Sequence, residues 1–506
     1  MLQELIEAET AEHIGRGSGP IPRDQTSRLI QSFAHFLCGI RSGAGEQRDH
    51  QMPPKANLGV FSLSWPIFLQ LSFTYCMGLV DVWVLGRISD TAAASVGSVN
   101  TVTTFVLMMF SFMGQGSGLV YARMLGQGKM KKVQECYSVA LILHVLLGVA
   151  ASGALFTWAG DISRLLGLDG QSLTYGKNFL QIVGGACVLH SLVAMFGGVM
   201  AANGFTRVGM FAGMFTNVAN VALIYVLVFL PSGPHWGVRG VALATALATA
   251  AGLLLSLWLV FARIRIRFLP PPSGQRWRDH AALLVAFSLP TMLEPAFWQA
   301  AQISTTRIIA AVGTDELAAR MYTLSITNMI GMFSSALSQG LQIAIGHLAG
   351  AGETDRIRHI SRATRLVGVV AALGLALMAA LSSRWIMDRF TDSPAVAEAG
   401  RTLLWCGLLY LPGSSLIMTT AATLRAVGQV TYPAATGILV LWGVFIPLAY
   451  ILSLPLGLAI IGVMIAMAVD ENLRALLLGV RWRYLSALDR FCKIVQQPQD
   501  SSVAGS

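Results

Sequence analysis

The chain has 506 residues, 54% of them hydrophobic and only 12% charged, with a net charge of +10. A water-facing domain carries about a quarter of its residues charged, so this composition excludes an ordinary soluble protein and points to a bilayer as solvent. The basic excess is no footprint of nucleic acid, because it sorts by loop and forms no continuous patch.

Residues 1–57 come first and are polar, with "GRGSGPIPRDQTS" reading as flexible. Inside them, "RLIQSFAHFLCGI" (28–40) places Leu29, Ile30, Phe33, Phe36, Leu37 and Ile40 at helical spacing. That suits either a short helix on the membrane surface or part of a disordered extension. The stretch lacks the apolar run and cleavage site of a signal peptide.

Twelve apolar segments follow, near 60–84, 92–119, 137–158, 176–202, 208–231, 238–262, 281–312, 320–347, 364–383, 397–425, 432–453 and 457–480. A helix needs roughly 20 mostly apolar residues to cross about 30 Å of hydrocarbon. The runs are continuous and do not alternate, which predicts helices rather than barrel strands. With the amino terminus inside, the loops and tail on one side hold 19 Lys and Arg, and those on the other hold 8. The positive-inside rule then predicts a multi-pass protein of the cell membrane with both termini cytoplasmic. Arg320 is counted in an outer loop, Arg425 in a cytoplasmic one, and no arginine is expected unpaired at mid-membrane.

Six scattered cysteines and nine histidines show no metal-ligand spacing, so no metal or cofactor is expected. No nucleotide-binding motif accompanies the helices, which argues against direct use of ATP.

The two halves repeat. Pro66 and Pro290, Gln115-Gly116 and Gln339-Gly340, Gly126-x-Gly128 and Gly350-x-Gly352, and Gly204 and Gly428 all lie 224 residues apart. Order and spacing kept over so long a stretch indicate an internal duplication. Six helices per half is an even number, so both halves enter the membrane from the same side, with a cleft between them. The expected fold is all-α and integral to the membrane: twelve transmembrane helices in two pseudo-symmetric six-helix lobes. The expected divisions are an extension at 1–57, a first lobe at 58–262, a basic, proline-rich cytoplasmic linker at 263–280 that lets the lobes rock, a second lobe at 281–485, and a tail at 486–506.

The lobe openings "WPIFLQLSFTYCMGLVDVWVLGRISDTAAASVG" (65–97) and "LPTMLEPAFWQAAQISTTRIIAAVGTDELAA" (289–319) resemble those of the multidrug and toxic-compound extrusion (MATE) family. So do the "GQG" and "GAG" turns, "NGFTRVG" (203–209) and "GVRGVALAT" (237–245). The resemblance spans 58–485. It implies a two-lobed secondary antiporter that exports mostly cationic organic compounds against protons or sodium by rocking-type alternating access.

Five residues are candidates for ion coupling or cargo binding: Asp81, Asn220, Glu294, Trp298 and Gln302. Glu294 lies midway along the seventh segment, where an ionised group costs a few kcal/mol. Such a carboxylate can hold a proton or a cation in turn, or it can be a packed structural group. Trp298 and Gln302 follow at i+4 and i+8, and an indole face suits an organic cation. Pro295 removes a backbone hydrogen bond beside Glu294; with Pro66 and Pro290 it is expected to bend its helix. Asp81 stands fifteen residues after Pro66, the spacing of the ion-coupling aspartate in the resembled family. Gln70, Thr74 and Gly78 share its stripe. Near the end of its helix, Asp81 could equally reach towards water. Asn220 matches the asparagine that supports that aspartate in the family, or serves as an interhelical hydrogen bond. Ile224 stands where some members carry a second aspartate. Asp470, Glu471 and Arg474 are spaced for an intrahelical ion pair.

The partners implied are the bilayer and small organic cations, with no nucleic acid; oligomeric state is left open. Two other functions compete. A flippase for a lipid-linked precursor would need a cationic cavity, and an integral-membrane enzyme would need a nucleophile–base pair or a metal cluster.

Overall fold

The computed structural model describes residues 59–230 and 236–487. The surface-helix expectation at 28–40, the rest of the 1–57 extension and most of the tail lie outside the described residues. Long helices account for nearly all of the rest: α1 (Val60–Ile88), α2 (Asp90–Gly126), α3 (Met130–Thr157), α4 (Gly170–Gly184 continuing as Cys187–Ala202), α5 (Thr206–Phe229), α6 (Gly237–Ala262), α7 (Gln275–Val312), α8 (Thr314–Ala351), α9 (Thr354–Leu381), α10 (Pro394–Ala426), α11 (Thr431–Ser453) and α12 (Ala459–Ala487). Nine of these are long and apolar enough alone to cross a bilayer, and α4 qualifies as a pair bent by 42°. At that bend a Cβ on Gly184 would sit 2.6 Å from Leu155 Cβ on α3. The two that fall short are dilute rather than absent. α8 mixes Thr, Ser, Asn and Gln into its apolar run, and α12 carries Asp470, Glu471 and Arg474.

Several helices outrun their apolar segments. α2 continues to Gly126, and α7 begins at Gln275, six residues before the expected start. Hydropathy registers only the turns that face lipid, whereas backbone hydrogen bonding carries a helix on through amphipathic turns. Lipid-facing sides are plain: Leu366, Val370, Leu377 and Leu381 on α9 are all exposed, as a bilayer surface requires. Two short helices, Ala159–Leu165 and Ser383–Phe390, follow α3 and α9. They begin 224 residues apart and are too short for hydropathy to detect.

The duplication is visible in the packing. α1 packs on α5, α2 and α3 on α4, and α5 on α6; α7 packs on α11, α8 and α9 on α10, and α11 on α12. Between the lobes α1 meets α8 and α2 meets both α7 and α8. At one end α2 and α8 touch backbone to backbone. A Cβ on Gly126 would lie 2.1 Å from the His347 carbonyl oxygen, and one on Gly350 would lie 2.1 Å from that of Arg123. Both glycines and both carbonyls are repeat mates, so the pseudo-twofold axis passes between them. Only residues without side chains allow this approach.

Around this crossing a single apolar core draws on both lobes, including Tyr121, Tyr137 and Phe196 from one and Phe287, Leu341 and Leu424 from the other. Away from it the cores separate. One holds only second-lobe residues such as Ile309, Leu403 and Phe445, and two hold only first-lobe residues such as Val96, Ile224 and Leu180. The lobes are thus fused at the end carrying the 127–129 and 352–353 turns and splay apart beyond it.

The connection between the lobes is shorter and more tightly held than a free linker. Between Arg263 and Gln275 the loop straps onto α3: the Leu269 N–H donates to the Gln134 carbonyl (3.4 Å), the Ser138 hydroxyl donates to the Leu269 carbonyl, and Phe268 packs against Tyr137 and Phe261. Glu135 on α3 also faces Arg276 (3.8 Å) and His280 (3.6 Å) at the start of α7. Aromatic and ionic contacts fix this segment, which hydropathy and proline content alone read as loose.

Candidate functional site

In the first lobe Gln70 and Thr74 of α1 face α5. Gly213 makes room for Gln70, since a Cβ there would lie 2.8 Å from its Nε2, and Asn217 donates to Thr74 Oγ1 at 3.2 Å. Beside Gln70 lies a cavity of about 350 Å³, walled by α1, α2, α4, α5, α6 and the facing part of α8. Its polar groups include Gln70, Gln115, Gln339, Gln342 and His190. The Nε2 of His190 lies 3.2 Å from Thr249 Oγ1. Gly197 opens directly onto space, with nothing within 4 Å of the Cβ it lacks. Further along α1, about two turns from its end, Asp81 keeps its Oδ1 out of solvent with no hydrogen-bond partner among the described residues. Such an acceptor, stripped of water, is costly unless a proton or a cation reaches it.

The second lobe is closed by charge. Glu294 on α7 pairs with Arg425 in the last turn of α10, and Gly437 on α11 packs against the same carboxylate. Each side chain of the pair is 17% exposed. One and two turns on, Trp298 and Gln302 line a cavity of about 30 Å³, room for roughly two waters. Arg320 of α8 also lines it and donates to Gln302 Oε1 (2.7 Å) and Thr306 Oγ1 (2.8 Å). On α12, Arg474 bridges Asp470 (2.5 Å) and Glu471 (3.1 Å).

Comparison with known proteins fits this two-lobed geometry. The MatE family model matches twice, at residues 66–226 and 290–451. The chain belongs to the MatE family. Both matches begin on the repeated prolines, Pro66 and Pro290. A relative from Bacillus subtilis (strain 168), named as the uncharacterized transporter YisQ, is 30% identical over 85% of this chain and 95% of its own length. A Thermotoga maritima relative, named as a probable multidrug resistance protein NorM, is 22% identical over 86% of this chain and 95% of its own. Among solved structures, that of MATE in the bent conformation superposes with a TM-score of 0.80 over 86% of this chain and 96% of the other, at 17% identity. That likeness fixes the fold: twelve transmembrane helices in two lobes. The chain is a multi-pass membrane transporter of this family and not an enzyme.

Within this MatE chain, the sequence candidates fall into two groups. Glu294, Trp298 and Gln302 do share one stripe inside the second lobe, but Glu294 is not a free carboxylate. Its partner Arg425, which hydropathy placed in a loop, lies on the final turn of α10. Arg320, also assigned to a loop, is 4% exposed inside α8 and donates to the neutral Gln302 and Thr306 side chains. Arg320 lies six residues after the start of α8 and is hydrogen-bonded rather than unpaired. A hydropathy window weighs each residue's average cost and does not see a hydrogen-bonding partner on another helix. Asp81 and Asn220 are not brought together by any hydrogen bond. Asn220, 8% exposed, donates to Thr245 Oγ1 on α6 at 3.2 Å. Pro66, Pro290 and Pro295 sit inside helices that continue past them.

The cavity residues Gln115, His190, Gln339 and Gln342 were not singled out from sequence as a site, although a signal for the cavity existed in the repeat. Its neutral Gln70 is the repeat mate of Glu294, and Gly213 that of Gly437. Ala201, which lines the cavity, is the mate of Arg425, and Gly197 is the mate of Ala421. The same framework is hollow and neutral in one lobe, and filled and ion-paired in the other.

Proposed function

We propose that this MatE chain is a cell-membrane exporter of small amphipathic organic compounds, driven by antiport of protons through Asp81. One observation carries the reading. The unpartnered carboxylate oxygen of Asp81 lies on the same helix as Gln70, a wall of the cargo-sized cavity, with Thr74 and Gly78 between them. A proton arriving at or leaving this carboxylate changes the charge of α1, and α1 packs on both α5 and α8. That bias on one side of the cleft is what rocking-type alternating access needs. The names of relatives, such as the Thermotoga multidrug resistance protein, support an organic cargo.

A proton suits the site better than sodium. A dehydrated metal cation takes several oxygen ligands, whereas Ile224 stands on α5 where a second carboxylate would be needed, and a proton needs only the one carboxylate oxygen of Asp81 that lacks a partner. A lipid-precursor flippase fits less well: Arg320 lines only the 30 Å³ cavity, while no Lys or Arg among the described residues lines the 350 Å³ one.

The test is cargo efflux from proteoliposomes under a pH gradient at equal sodium, then under a sodium gradient at fixed pH. The pH gradient is expected to drive efflux, and Asp81→Asn to abolish that response while leaving the protein folded. Robust transport on sodium alone, or an unchanged pH response in Asp81→Asn, rejects the assignment.

Orientation follows from charge. Moving Arg320 and Arg425 out of the loop count leaves the basic excess on the side of the 264–274 loop, so that side is cytoplasmic and the splayed ends face outward. In a Cys76→Ser background, a cysteine at the exposed Ser273 should resist an impermeant thiol reagent added to intact cells. One at Asp392 should react. The reverse pattern would invert the topology.

A further inference from the structure

The charge on the cavity wall bears on what enters it. Among the described residues that line the 350 Å³ space there is no Asp, Glu, Lys or Arg. Four carboxamides, Gln70, Gln115, Gln339 and Gln342, supply its strongest neutral hydrogen-bonding groups, and His190 is its one ordinary acid–base group. Whether His190 is neutral or protonated, it contributes no negative charge. The nearest equivalent of an anionic wall in this framework is Glu294, the repeat mate of Gln70, and it is committed to Arg425 in the other lobe. A permanent cation entering this space would shed water and meet no counter-charge, which is unfavourable. An uncharged ligand with carbonyl, amide or hydroxyl groups would exchange its water hydrogen bonds for those of the glutamines. Each carboxamide offers two N–H donors and an acceptor oxygen. Leu71, Leu119 and Ile343 add apolar wall, and the volume lies at the low end of the ~300–1,000 Å³ of small-molecule sites.

We infer that the cargo site of this exporter is the carboxamide-lined cavity and that it selects uncharged, hydrogen-bonding aromatic or aliphatic amphiphiles over permanent organic cations. This rests on the export reading above but reverses the charge class expected from sequence. The pairing of Gln115 with its repeat mate Gln339 puts one carboxamide from each lobe on the wall. Cargo held between them touches both bodies that must move relative to each other. The Gln339 amide also donates to Ser335 Oγ at 3.3 Å, which sets its orientation.

The experiment compares two probes of one size, an aromatic carboxamide dye and the same dye bearing a quaternary ammonium in place of the amide. Binding is measured by fluorescence anisotropy on the full-length protein in nanodiscs, with no gradient, so the result does not depend on antiport. The amide is expected to bind at least tenfold more tightly than the ammonium. Gln115→Leu and Gln339→Leu are each expected to weaken the amide about tenfold. Gln115→Glu, which places a carboxylate on the wall, is expected to raise ammonium affinity at least tenfold. Size-exclusion profiles matching wild type are the condition for reading each variant, and Gln115→Asn stands in where a leucine variant fails it. Equal or tighter ammonium binding by wild type overturns the inference, as does binding of neither probe or indifference of the amide to both glutamines. Amide binding with the expected variant effects but no gradient-driven efflux upholds the site and rejects proton antiport instead.

Discussion

Arg474→Met is expected to prevent recovery of folded protein from membranes. Arg474 is 8% exposed and serves two carboxylates at once, Asp470 at 3% and Glu471 at 8% side-chain exposure. Arg474 pairs with Asp470 Oδ2, and Asp470 Oδ1 has no hydrogen-bond partner among the described residues. Methionine keeps the length and apolar bulk of the stem, so the change isolates the charge. It leaves two adjacent buried carboxylates with their cation gone. Breaking one buried pair typically costs about 3–5 kcal/mol, and a whole domain is stable by only about 5–15 kcal/mol. The measurement is the monodisperse fraction after detergent extraction, with thermal unfolding of whatever survives. The triple variant Asp470→Asn/Glu471→Gln/Arg474→Met removes all three charges and should restore most of the yield, because carboxamides can hydrogen-bond each other. A single Arg474→Met protein extracted and melting like wild type would show that the cluster adds nothing to folding.

Much of the architecture was legible because two sequence signals are additive over many residues. Continuous apolar runs located twelve helices even where, as in α8 and α12, the composition is diluted. The 224-residue offset ties Gly126 to Gly350, and their contact with the His347 and Arg123 carbonyls is the physical reason both are glycine. What stayed hidden depends on pairs. Nothing along α7 reports that Arg425, more than a hundred residues on, reaches Glu294, and nothing along α8 reports that Arg320 donates to Gln302. The loop after α6 looked free because its anchors, Phe268 and Leu269, are ordinary apolar residues whose partners lie on α3. The cavity was half legible. Comparing repeat mates, Ala201 with Arg425 and Gly197 with Ala421, shows which lobe is hollow, whereas reading each lobe alone does not.

That comparison also sets the second large effect, at Glu294 and Arg425. Arg425→Ala is expected to cost about 3–5 kcal/mol, since it strands a mostly buried carboxylate. Adding Glu294→Gln should recover most of that loss. The double variant places a carboxamide opposite an alanine, which is the arrangement Gln70 and Ala201 already have in the first lobe with Gly213 beside them, as Gly437 lies beside Glu294. The cycle is read from thermal unfolding of wild type, both single variants and the double. A large coupling energy is expected, with Arg425→Ala the least stable of the four. Export by the double variant then separates structure from coupling. Because the driving proton is assigned to Asp81, gradient-driven efflux should persist in a double variant that folds well. Equal stability of Arg425→Ala and the double variant would mean that the ion pair does not hold the lobe closed. A stable double variant that binds cargo but no longer responds to a pH gradient would return Glu294 to the coupling path, with Arg425 as the counter-charge that it exchanges for a proton.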